Sequence, residues 1–264
     1  MIALGMNNAW IDPYTHVYEY PNFEANNSYF QLLNQTTAKT LLDEQVCLPI
    51  LDLCTSLLIT VNFLSHANIT PPQLKKALPA IQACNTLTGK NEICNRATDA
   101  MQAVQDAFLS PYDLGYPDYN PYDLRQRPSA NLSTWLAANK PYLARPDVQR
   151  AIGAKSPYID CSTSGPNNVY DAFGSTGDNW RSWLPKLNAL VSGGLPTLLW
   201  AGDTDTTVDW FGCYAVANKI QYPKRTKFQQ KALQKYKTNG KIDGEFKSVG
   251  NLNWLRKFLS LIFS

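Results

Sequence analysis

Histidine is nearly missing from this sequence: His16 and His66 are the only two among 264 residues. An imidazole is the usual proton carrier of hydrolytic sites and a common metal ligand, so chemistry of that kind has two positions to draw on. Charge is scarce as well. Asp, Glu, Lys and Arg supply 17% of the residues, against roughly 25% in an average soluble protein. The net charge of +3 is too small to imply nucleic acid or a charged membrane as partner. Neither a CxxC pair nor a zinc-finger spacing of Cys and His occurs, so no metal or other cofactor is expected. No apolar run reaches the roughly 18 residues of a membrane span. The longest candidate, Leu48 to Leu64, contains Pro49, Asp52 and Asn62 and reads as a buried or capping helix.

What is present is a chain built to bury a core. Apolar residues make up 44% and aromatics 12%, which excludes a disordered or coiled-coil protein. Six cysteines occur, Cys47, Cys54, Cys84, Cys94, Cys161 and Cys213, the first four within 48 residues. Low charge, abundant Asn and Thr, and clustered Cys favour an oxidising compartment. Sequons at Asn26, Asn34, Asn68 and Asn131 are candidate glycosylation sites in keeping with it. The first residues, Met1 to Met6, turn polar at Asn7-Asn8 without a signal-peptide pattern. That start disagrees with the cysteine usage, and the expectation is that Met1 is not the natural beginning.

Residues 2–5 form a short apolar run that enters a turn at Asn7–Pro13, and His16 is also expected to lie in a turn. From about 14 to 182 the sequence is loop-rich, with helical islands at 28–44, 46–64, 73–83 and 95–109, and His66 near the end of one of them. Both histidines read as surface or satisfied side chains. Tyr142 to Ala154 predicts a short helix with Pro146 in its first turn, and Trp180 to Val191 another that Ser192-Gly193-Gly194 ends. Leu195 to Ala201 is a continuous apolar run closed by Gly202-Asp203-Thr204-Asp205. It predicts a buried parallel strand that delivers two carboxylates at its C-terminal edge, where open α/β sheets place ligands and catalysts. Trp210 to Ile220 follows as a helix, and Tyr236 to Trp254 as a hairpin turning at Asn239-Gly240. Lys219 to Lys241 holds eight basic residues and no acid, read as a solvated helix face.

Five ordered motifs give the chain a resemblance. Ala201-Gly202-Asp203-Thr204-Asp205 with Trp210-Phe211-Gly212 resembles the aspartate motif of the serine carboxypeptidases, α/β-hydrolases with a Ser-Asp-His triad. Ala9-Trp10-Ile11-Asp12-Pro13 resembles the turn written GNGWIDP in that family, from which Met6-Asn7-Asn8 departs. Asn120 to Arg125 resembles an NxYDIR element, Tyr142 to Ala154 a YLNxxxVxxAIGA helix, and Gly244 to Ser248 with Asn253 to Arg256 the strand pair leading to the catalytic histidine. The resemblance implies that Asp205 is the triad acid, which would hold an imidazole by its Nδ1–H, and that Asp203 is structural. Cys161 and Val208 match positions near the leaving-residue side of the pocket. Four clustered cysteines allow three pairings by spacing alone; the resemblance implies nested bridges, Cys47 with Cys94 and Cys54 with Cys84, leaving Cys161 unpaired and Cys213 packed as a small apolar residue.

The expected architecture is thus α/β: an incomplete α/β-hydrolase core from residues 1–13 and 183–264, and a large, disulfide-bonded, mainly helical insertion at 14–182. The resemblance implies hydrolysis of the C-terminal peptide bond of a peptide or protein through an acyl-serine, in the secretory pathway, vacuolar or secreted. Yet no G-x-S-x-G nucleophile elbow occurs, and no histidine follows Asp205 as the Ser, Asp, His order requires. The chain as written is therefore expected to be inactive. Two readings of that follow: sequence continuing beyond both ends that supplies serine and histidine, or a non-catalytic binding protein of the same fold.

Overall fold

The computed structural model describes residues 2–29, 35–36, 39, 79–84, 90–97, 122–125, 141–155, 158 and 169–258. Strand β1 (Leu4–Asn7) leads into helix α1 (Pro13–Asn26). Then come α2 (Pro146–Ala151), α3 (Val169–Thr176), a 3-10 turn at Asp178–Trp180 and α4 (Leu184–Ser192). The chain continues through β2 (Thr197–Gly202), α5 (Trp210–Lys219), α6 (Arg225–Gln230), β3 (Gln234–Thr238), β4 (Lys241–Val249) and β5 (Leu252–Lys257).

Among the described residues the strands form one five-stranded mixed sheet in the order β1-β2-β5-β4-β3. β2 lies parallel to both neighbours, with Thr197 opposite Leu4 on one side and Leu252 on the other. β4 runs antiparallel to β5 and to β3. The hairpin turns where expected, with φ of 51° at Asn239 and 81° at Gly240, the paired positive values that a type I′ turn needs. β3 is an edge strand, and Lys235 and Lys237 are exposed along it. Lys235 and Lys237 therefore lie not on the helix face that was expected for the basic run but along a charged border that discourages further strand pairing.

One face of the sheet carries the core. Leu199 and Ala201 of β2 and Leu252 and Trp254 of β5 are buried with Leu187 and Val191 of α4, Val216 and Ala217 of α5, and Phe228 of α6. Each buried leucine, valine or phenylalanine among these contributes about 1.5–3 kcal/mol by leaving water, and each alanine methyl less than about 1 kcal/mol. The alternate residue Leu198 is exposed. Lys247 is buried on the core face; its ammonium donates to Tyr214 Oη at 2.9 Å and Asn218 Oδ1 at 3.0 Å and lies 4.2 Å from the Phe228 ring centre.

Three local expectations are corrected. His16 is in no turn: Pro13 occupies the first turn of α1, where its missing N–H costs nothing, and His16 is fully buried one turn later. The helix predicted over Trp180–Val191 starts only at Leu184, with Pro185 in its first turn, and the predicted Tyr142–Ala154 helix has its regular part at Pro146–Ala151. In both, proline sets the first turn because it cannot donate to an earlier carbonyl.

The bridge is the larger correction. Cys84 is bonded to Cys94, their Cα atoms 4.7 Å apart, so neither the Cys54–Cys84 nor the Cys47–Cys94 pairing forms. The two cysteines sit on helical segments at 79–84 and 91–97 that face each other. The bridge also rests against Gly177, where a Cβ would fall 2.2 Å from Cys94 Cβ. Arg181 ties the same region together, donating to Asn91 Oδ1 at 2.7 Å and Thr176 O at 3.1 Å. Closing so short a loop contributes about 3 kcal/mol in the chain-entropy model. Cys47, Cys54 and Cys161 lie outside the described residues, while Cys213 is free and buried, as expected.

α1 and α5 approach closely at Gly212, where a Cβ would stand 2.6 Å from His16 Nδ1 and 3.0 Å from His16 Cα. Gly174 in α3 faces open space. Gly212→Ala should therefore lower the urea-unfolding free energy by about 1–3 kcal/mol. Gly174→Ala should leave it unchanged or raise it by about 0.5–1 kcal/mol.

Candidate active site

β2 ends at Gly202, and the next residues form a tight loop that carries Asp203 and Asp205 to the C-terminal edge of the sheet. Both carboxylates are buried, and they are held differently. Asp205 Oδ1 accepts from the backbone N–H groups of Thr207 at 2.8 Å and Val208 at 3.1 Å, and its Oδ2 accepts from Asn8 Nδ2 at 2.9 Å. Asp203 Oδ2 accepts from Tyr29 Oη at 2.7 Å and has the Arg256 guanidinium at 3.7 Å. That guanidinium is stacked 3.9 Å from the Trp210 ring centre, and it donates to Ser28 Oγ at 2.9 Å. Asp203 is thus tied to α1's exit and β5's end, whereas Asp205 is gripped by its own loop and by β1's exit. A carboxylate oxygen has room for about two hydrogen bonds, so Asp205 Oδ2 keeps capacity for one more donor.

The Asp123-Leu124-Arg125 part of the NPYDLR motif reaches this loop. Leu124 N donates to Thr204 O at 3.0 Å, and Leu124 packs with Phe23 against Trp210 and Phe211. Arg125 grips Asp123 in a two-point ion pair at 2.7 and 2.6 Å. Trp10 of the WIDP motif stacks on His16 with ring centres 4.8 Å apart and donates to Asn179 O at 2.7 Å. Four stretches far apart in sequence therefore converge on the Asp203–Asp205 loop and its support.

Burial governs the electrostatics. It pushes Asp205 up to about 7, opposed by the N–H groups of Val208 and Thr207 and by Asn8. Asp209 caps α5, its Oδ1 accepting from Gly212 N at 2.9 Å, and burial pushes it up to about 8. Its Oδ2 has no partner. Glu24 on α1 is raised well above the usual carboxyl range by burial and by Asp209. His16 goes the other way, lowered to about 4 by burial, and its Nε2 accepts from Ile11 N at 3.4 Å. It is a packed histidine stacked on Trp10, but its buried Nδ1 has no hydrogen-bond partner among the described residues, so the expectation of a surface or satisfied side chain is not met.

The family model for serine carboxypeptidase matches residues 2–258. The chain belongs to the serine carboxypeptidase family. It is 32% identical over 98% of its length to carboxypeptidase S1 of Penicillium janthinellum, and that match takes in 52% of the relative. Carboxypeptidase Y homolog A of Ajellomyces dermatitidis is 31% identical over 70% of this chain and 33% of its own. A vacuolar serine-type carboxypeptidase of Saccharomyces cerevisiae, ATG42, is 25% identical over 72% of this chain and 39% of its own. Among solved structures the fold is similar to Kex1(delta)p, a prohormone-processing carboxypeptidase from Saccharomyces cerevisiae, with a TM-score of 0.53 at 14% identity, over 98% of this chain and 50% of that one. The chain thus spans about half the length of carboxypeptidase S1 and of Kex1(delta)p, each of which matches 98% of it.

Two site residues escaped the sequence reading. Asp209 could have been found as an N-cap, an Asp three residues ahead of a glycine at the start of an amphipathic helix. Asn8 did carry a signal: although Met6-Asn7-Asn8 as a whole departs from the GNGWIDP turn, Asn8 itself stands at that motif's Asn once Trp10 is set on its Trp. Val208, the expected pocket residue, is partly buried against the core and contributes its backbone to both Asp205 and Asn8. Of the sequons, Asn26 is exposed at the last turn of α1, and Asn34, Asn68 and Asn131 lie outside the described residues. Among the described residues no helix is long and apolar enough to cross a membrane.

The raised carboxyls set a pH dependence. A buried acid that holds its proton in the native state while the unfolded chain has lost it stabilises less as pH rises toward the native value. Asp205, Asp209 and Glu24 act together in this sense, while neutral His16 opposes them only below its ordinary value of 6.5. Exposed Asp147 and half-buried Asp243 are held low by Arg145 and Lys257 and act only at more acid pH. Thermal unfolding followed by circular dichroism should show the midpoint falling by about 5 °C or more between pH 6.5 and 8.5. Asp209→Asn, which keeps the cap's acceptor, should flatten that slope.

Proposed function

We propose that this chain supplies the acid and the cap of a serine carboxypeptidase site that releases the C-terminal residue of peptides. One observation supports this most: Asp205, at the C-terminal edge of a central parallel strand, is buried and oriented by three donors while one oxygen can still receive an imidazole N–H. In that role it fixes the tautomer of a histidine and stabilises the imidazolium formed as the serine attacks the scissile carbonyl. The serine becomes the acyl carrier, the leaving amine takes the proton from the imidazolium, and water, deprotonated by the same imidazole, releases the acid.

The histidine and serine of such a triad are not among these residues in usable order, because both histidines precede Asp205 and no G-x-S-x-G occurs. The 264 residues by themselves are therefore proposed to be inactive. Residues 1–13 and 183–264 are proposed as part of an α/β-hydrolase core, with 14–182 as its bridged cap. The Cys84–Cys94 bridge and a relative described as vacuolar support a place in the secretory pathway or vacuole, where the exposed Asn26 sequon would be available for glycosylation.

The purified chain should release no amino acid from an N-blocked dipeptide in a manner sensitive to serine inhibitors. A chimaera in which residues 4–257 replace the matching stretch of the Penicillium enzyme should turn over that dipeptide. Asp205→Asn in the chimaera should lower kcat by about 10⁴ with KM little changed. A chimaera whose Asp205→Asn form keeps kcat within tenfold would remove the triad assignment.

A further inference from the structure

Asn8 is the first residue after β1, and its backbone is left-handed, with φ of 39°. Asparagine tolerates that region better than most side chains, so the position selects Asn on conformational grounds. Its side chain makes a second demand. It is buried, 7% exposed, and meets the aspartate loop at three points. Oδ1 accepts from Gly202 N at 3.0 Å, where the loop leaves β2. Nδ2 donates to Val208 O at 3.0 Å, where the loop ends, and to Asp205 Oδ2 at 2.9 Å between them. One acceptor and two donors are what a primary amide provides. An ionised carboxylate at this place would have no donor, and a hydroxyl would have one too few.

We propose that Asn8 is the positioning residue of the acid: by closing the aspartate loop at both ends and donating to Asp205 Oδ2, it sets that carboxylate's orientation and favours its charged form. The proposal rests on Asp205 being the triad acid, because only then does a held carboxylate serve catalysis. A donor to the charged form lowers the proton affinity of a carboxylate, and burial works against it here. Asn8 is thus the one side chain in the described site that offsets burial at Asp205. The titratable neighbours of Asp205 are Tyr20 on α1 and Asp209 and Cys213 at α5, and none of them hydrogen-bonds to its Oδ2.

The test follows the Asp205 carboxyl carbon by ¹³C NMR through pH in the full 264-residue chain, with Asp205→Asn assigning the signal. In the unaltered chain the Asn8 side-chain amide protons should shift with the same midpoint as Asp205, which requires no variant that might fail to fold. Asn8→Leu should move the Asp205 midpoint up by about one unit. Asn8→Asp should split it into two steps, because two adjacent carboxyls share their protons. Amide protons that ignore the Asp205 titration, or a folded Asn8→Leu chain with an unchanged midpoint, would overturn the proposal. Such a result leaves the triad assignment standing, since that is read from kcat of the Asp205→Asn chimaera. In the same chimaera Asn8→Leu should lower kcat by about tenfold or more at similar KM, as expected for a group that acts only through the acid.

Discussion

The parallel pairing of β1 with β2 is the contact on which the site depends. It sets Asn7 opposite Trp200, so the residue after β1 falls beside the first residues past β2. Every bond between Asn8 and the aspartate loop follows from that register. A slip of one residue would turn the alternating side chains of β1 to the other face and carry Asn8 away from Gly202. The same pairing sends the chain from β1 straight into α1, whose Pro13 start and close crossing at Gly212 then bring Tyr20 and Glu24 over the loop. Tyr20 Oη donates to Thr207 O at 3.0 Å, adding a further tie.

The support around Asp205 is polar to an unusual depth. Asp203, Thr204, Asp205, Thr206 and Asp209 are all buried within seven residues, and buried carboxyls are costly unless bonded or protonated. The structure meets that cost in two ways. Asp203 and Asp205 are given donors, from Tyr29 and Arg256 for one and from Asn8 and two backbone amides for the other. Asp209 has its Oδ1 filled by Gly212 and its Oδ2 unpartnered, and there the proton is retained instead. A loop assembled in this way exchanges stability for a carboxylate of defined direction, as an acid that must hold an imidazole requires.

Much of this was legible in the residues. The apolar run ending in Gly202-Asp203-Thr204-Asp205 located both the central strand and the buried acids, because a parallel strand is short, apolar and closed by its catalytic edge. The Asn239-Gly240 turn was legible because positive φ at two successive residues is a local requirement. Other features depend on distant partners. Cys84 and Cys94 pair because two helical segments face each other beside Gly177, which spacing cannot show. His16 looked like a turn residue because Asp-Pro opens turns and helices alike. The role of Asn8 was invisible for a related reason: its three partners lie about two hundred residues away, and neither an Asn-Asn pair nor the Asn of a turn motif says what its side chain holds.

That separation has a consequence in time. Asn8 and Gly202 are 194 residues apart, and ribosomes add about 5–20 residues per second. For roughly 10–40 s of synthesis, then, the edge of β1 that β2 covers waits for its partner. The acid-bearing loop cannot acquire its shape before both ends of that span exist, since loop closure over so long a span precedes any return from the contact. Until the two ends of that span meet, Asp205 is solvated, ionised and undirected, and its buried character comes with the contact itself.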